Sequence, residues 1–142
     1  MTTLTLSQAN SIVAAAFAKG TELKLKPLSV AVLDAGGHLI AFQRADGAST
    51  LRPQIAAGKA SGALALGVSS RKIAEMAAER PTFIGSLGSI AQAGIIPAAG
   101  GVLVVDAAGS VIGAVGITGD TSDNDEACAI AGIETAGLKA IV

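Results

Sequence analysis

The sequence predicts an α+β domain, with a central antiparallel sheet built from two β-hairpins and helices packed on it. Three observations lead there. Two apolar strand pairs, VLDAGGHLI (32–40) and VVDAAGSVI (104–112), each close on a Gly-bearing turn and echo one another. Helical patterns precede, separate and follow these hairpins. At 142 residues the chain suits one core, so residues 1–142 form a single domain.

In chain order, residues 5–24 predict a helix opened by a Thr5/Gln8 capping box, with Leu6, Ala9, Val13, Ala16, Phe17 and Leu23 near one face. Pro27 marks its exit. Strands follow over 28–34 and 38–44, joined by Ala35-Gly36-Gly37, where glycine supplies the positive φ a tight turn needs. A helix over 53–66 starts on Pro53, and a shorter one runs from Ser70, its predicted cap, to Arg80, where Pro81 ends it. Residues 82–101 are broken by Gly and Pro and predict no firm element. Strands over 101–106 and 110–118 repeat the hairpin around Ala107-Ala108-Gly109. A last helix is expected from Asp123 to the C-terminus, with Asp123 and Glu126 at cap-like spacing. Strands 28–34 and 110–118 are apolar at most positions, which predicts burial on both faces.

Composition restricts the function. Half the chain is apolar, yet it has three Phe and no Trp or Tyr, so Ala, Val, Ile and Leu must build the core. A net charge of -1 without a basic run, and so few aromatics, argue against nucleic acid. The single cysteine, Cys128, excludes an intramolecular disulfide and fits a reducing compartment. No signal-peptide pattern opens the chain and no uninterrupted apolar span suits a membrane, so a cytoplasmic location is expected.

Few residues are suited to chemistry. His38 is the one neutral nitrogen ligand for haem iron or another metal, or a general base; equally, it is a polar residue at a hairpin mouth. Arg44 and Asp46 end a strand beside Gly47. They read either as a local ion pair or as an anion grip, with Arg44 forking to a carboxylate or haem propionate and Asp46 orienting it or acting as a base. Arg52 adds a second positive charge. Lys59 aligns with Ile55, Ala63 and Leu66 on an apolar helix face, so its ammonium needs a partner: Asp46, Asp120 or a bound anion. Capping explains Asp123 and Glu126, which leaves Asp120 and Asp125 as a carboxylate pair for iron or for acid and base roles.

The ordered set VLDAGGHLIAFQRADGA, IAAGKASGALALG and GGVLVVDAAGSVIGAVGITGDTSDNDE resembles the GlcG/HbpS family, also called the haem-degrading-domain or DUF336 family, which includes the C-terminal domain of PduO-type proteins. The likeness runs from about residue 5 to about residue 138. It implies a compact domain with a central antiparallel sheet, assembled into homo-oligomers such as octamers. It also implies haem or iron binding in some members, and catabolic operons as a setting. Joined to the residues above, the leading expectation is an oligomeric binder of haem or a small carboxylate, using His38, Arg44, Arg52 and Lys59. One alternative is a cofactor-independent isomerase, tautomerase or hydratase working through Asp46, Lys59, His38 or Asp120. The other is a non-catalytic accessory subunit.

Overall fold

The computed structural model describes residues 2–142. Its elements are α1 (Leu6–Glu22), β1 (Ser29–Asp34), β2 (Leu39–Arg44), α2 (Arg52–Leu66), α3 (Ser70–Glu79), α4 (Pro81–Leu87), β3 (Gly101–Val105), β4 (Val111–Thr118), α5 (Ser122–Thr135) and β5 (Lys139–Ile141). The strands form one sheet in the order β2-β1-β4-β3-β5, and every neighbouring pair is antiparallel. The two predicted hairpins therefore meet through their long apolar members, β1 and β4. Both of these are buried along nearly their whole length, as central strands should be.

Strand alternation sorts the core into two layers. Val30, Val32, Val102, Val104, Val115 and Ile117 point to the face covered by α1 and α5. Leu33, Leu103 and Ala114 point to the other face, where Ala60 and Ala63 of α2 meet them. The result is a three-layer α/β/α sandwich. The chain has small side chains where it needs close approach. A Cβ at Gly116 would fall far inside the contact distance of the Ala56 carbonyl, and one at Gly101 would strike the Lys59 carbonyl. The backbone of α2 thus lies directly on β3 and β4, and glycine is what lets it do so.

Local signals explain most boundaries. The Thr5/Gln8 capping box forms as predicted, with Gln8 N–H donating to Thr5 Oγ1 and Thr5 N–H donating to Gln8 Oε1. In both hairpin turns one aspartate accepts two backbone N–H groups: Asp34 from Gly36 and His38, Asp106 from Ala108 and Ser110. Gly37 and Gly109 both take φ of 84°. The sequence echo is a geometric one.

Five details differ from the sequence reading. The buried stripe of α1 is Ala9, Ile12, Val13, Ala16 and Gly20, while Leu6 and Leu23 lie exposed near the helix ends, beyond the packed turns. Ser69, not Ser70, caps α3 by accepting from Lys72 N–H, and Ser70 Oγ instead takes the Gly101 N–H. Pro81 ends α3 but also begins α4, in the position where a helix tolerates proline. Thr121, not Asp123, caps α5. Finally, α5 stops before Gly137, which has φ of 78°, and the chain turns back to pair β5 with β3.

Replacing Gly116 with Ala is predicted to force α2 off the sheet and cost about 1–3 kcal/mol or more. Gly85 lies in α4 with open space around it, so Gly85→Ala should be neutral or stabilise by up to about 1 kcal/mol. Urea unfolding of the two variants checks the contrast.

Candidate functional site

The sheet has two polar ends. At one end the twin turns flank a half-open cavity of about 720 Å³, walled by Leu4, Ile40, Val111 and Ile112 with Asp34 and Asp106 at the rim. His38 belongs to this end. Its side chain is 79% exposed, and its Nδ1 lies 3.4 Å from Asp34 Oδ1. Its ring also packs beside Gly36, which lines the cavity. The backbone N–H groups of His38 and Gly36 hold the Asp34 carboxyl below its usual range.

The other end is built around Lys59. Its side chain is 3% exposed, and Nζ donates to the Ile117 carbonyl at 2.9 Å and to Asp125 Oδ2 at 3.4 Å. The lysine's partner is therefore Asp125, neither Asp46 nor Asp120. Burial pulls the Lys59 pKa down and pushes that of Asp125 up, and their mutual attraction opposes both shifts. The second oxygen of Asp125 accepts the Asp120 N–H at 2.9 Å, so every polar atom of the pair is used.

Asp120 is a junction rather than a free base. It accepts from Lys26 N–H, Thr121 N–H and Asn124 Nδ2, with Asn124 the largest influence, and its carboxyl is held down at about 2. Arg71 of α3 clamps α5 by binding both Asp123 and Glu126. Among the described residues, no group of three or more His, Cys, Asp or Glu side chains is placed to hold a metal ion. Cys128 is buried, and desolvation raises its thiol to about 11, so it is inert packing.

Arg44, Arg52, Lys59 and Asp120 thus gather at one end of the sheet, with the exposed Asp46 on the adjoining loop. His38 lies at the other end of β2, roughly 20 Å along the strand at ~3.3 Å per residue. Sequence reasoning kept these residues in one pocket. It also read Asp125 as half of a carboxylate pair with Asp120 and not as the partner of Lys59, although the signal was present: Asp125 shares the buried stripe of α5 with Cys128, Ala129, Gly132 and Ile133. Two opposite charges on two apolar helix faces had one place to meet.

The fold and this site can be set beside known proteins. A family model described as "Haem degrading protein HbpS-like" matches residues 4–134. The chain belongs to the HbpS-like family. Solved structures agree in fold. Klebsiella pneumoniae ORFY, a DUF336 protein, is 29% identical, with a TM-score of 0.86 over 96% of this chain and 92% of its own. A double mutant of Streptomyces reticuli HbpS is also 29% identical, with a TM-score of 0.80 over 94% of this chain and 87% of its own. A PduOC:haem complex superposes with a TM-score of 0.86 at 21% identity, covering 96% of this chain and 97% of that one. No curated protein matches the chain. Among the described residues of this HbpS-like domain, no helix is long and apolar enough to cross a membrane.

Two predictions address the Lys59 end. Lys59→Met or Asp125→Leu alone strands a buried charge and should cost about 3–5 kcal/mol, while the double substitution recovers most of it; a double-mutant cycle in urea measures this. Asp120 has its folded pKa near 2, below the ordinary 3.8, so it adds stability that is present above 3.8 and lost as pH falls through about 2. Asp120→Asn should flatten that part of the acid limb of a stability-versus-pH curve.

Proposed function

We propose that this HbpS-like domain binds haem at the cavity between the twin turns, where His38 would hold the iron. The supporting observation is an apolar cavity of about 720 Å³ with the chain's one histidine next to it, its ring beside the cavity-lining Gly36 and its Nδ1 facing the Asp34 carboxylate. The donor chemistry fits. A bare cation asks for several protein ligands, whereas a porphyrin brings its own equatorial nitrogens and asks the protein for one or two axial ones. The family's description as haem-degrading and the haem complex formed by PduOC point the same way. Bound haem would supply an iron centre whose properties the axial ligand and the pocket tune.

In this reading Arg44, Arg52 and Lys59 stand too far from His38 to grip the same haem within one chain. A homo-oligomer, octamers included, and a cytoplasmic setting complete the proposal. Exposed Leu39, Leu51, Phe83 and Ile90 offer apolar surface for a second copy to cover.

Haemin titration followed by absorbance tests the site. The chain should give a saturable Soret shift that His38→Ala abolishes, and Asp34→Asn should weaken binding by about tenfold or more through loss of the carboxylate behind the ring. An unchanged shift in His38→Ala would overturn the assignment.

A further inference from the structure

The far end of the sheet carries an imbalance that haem binding at His38 does not use. Strand pairing sets Arg44, Ser29 and Thr118 side by side across β2, β1 and β4. Directly opposed residues share a face, so all three point to the side that α2 covers. Arg52, in the first turn of α2, reaches the same row and donates from Nη1 to Thr118 Oγ1 at 2.7 Å.

Donors crowd this row and acceptors are missing. Ser29 Oγ is fully buried and has no hydrogen-bond partner, the one such side-chain atom among the described residues. Thr118 is buried too; its oxygen is taken by Arg52, and its own proton has no acceptor among the described residues. Neither Arg44 nor Arg52 has a carboxylate within 4 Å among the described residues. Arg52 also depresses the Lys59 pKa through like-charge repulsion, although Asp125 lies within reach of that lysine. The Arg44 guanidinium is exposed and that of Arg52 half-buried, so the cost falls on the buried Ser29 hydroxyl, and an anion held by the two arginines would give that hydroxyl its acceptor.

We propose that Arg44, Arg52, Thr118 and Ser29 form a second site, separate from the His38 cavity, for a small oxyanion: the carboxylate or phosphate group of a metabolite. The two guanidiniums supply forked donors matched to such groups, and the two hydroxyls complete the shell from below.

Calorimetric titration of the full chain with potassium phosphate and with potassium acetate, at ionic strength fixed by chloride, tests this. Saturable binding of either anion is expected, and the anion that saturates identifies the headgroup. Arg44→Gln and Arg52→Gln should each weaken binding by about tenfold or more. Ser29→Ala is the sharper variant. It removes a hydroxyl that bonds to nothing, so the anion-free melting temperature should hold or rise while anion affinity falls severalfold. His38→Ala should bind the anion as the parent does. Absence of saturable binding for both anions, or full affinity in both arginine variants, would overturn the proposal.

Discussion

The buried ammonium of Lys59 is the constraint around which this domain is arranged. It leaves a helix that lies flush on the sheet, meets the carbonyl of Ile117 at the end of β4, and closes on Asp125 of α5. One side chain therefore ties together the α2 layer, the central strand and the α5 layer. The apolar contacts between these layers are made by Ala, Val, Ile and Leu, which pack closely but carry no directional bonds. Directional bonds from a charged group in that setting fix where α2 and α5 begin relative to β4. Desolvation makes such a pair a weak source of net stability, so its main contribution here is register.

That register decides which polar residues become neighbours. With α2 pinned, Arg52 is carried to Thr118, and the cross-strand row Arg44–Ser29–Thr118 is completed from the helix side. With α5 pinned, Asp120 is drawn into the loop between β4 and α5 and spends its oxygens on Lys26, Thr121 and Asn124. The opposite end of the sheet owes nothing to this network. There, two aspartate-closed turns of the same geometry frame a cavity, and one of them carries His38 where the other carries Ser110. The domain thus separates a histidine end from an arginine end by the length of a strand.

Much of the architecture was legible in the sequence because its signals are local. The capping box of Thr5 and Gln8, the two Asp–Gly turns, and the continuous apolar runs of β1 and β4 each act over a few residues. What escaped depends on partners distant in sequence. Asp125 lies 66 residues from Lys59, and no short-range pattern joins them. Ser29 looks like any strand-opening serine until β2 and β4 pair on either side of it. The three-residue β5 exists because β3 has an open edge, not because Lys139–Ile141 favours a strand. The prediction of one pocket holding His38 and Lys59 failed for a geometric reason: β2 places its two ends at opposite edges of the molecule.

The functional account rests on the assignment of haem to the histidine end. A crystal structure of the chain grown with haemin tests it most directly. The account predicts the porphyrin seated between the two turns, with iron bonded to His38 and Asp34 still facing Nδ1. Iron held by another side chain, or a porphyrin seated at the Arg44–Arg52 end with His38 free, would contradict it.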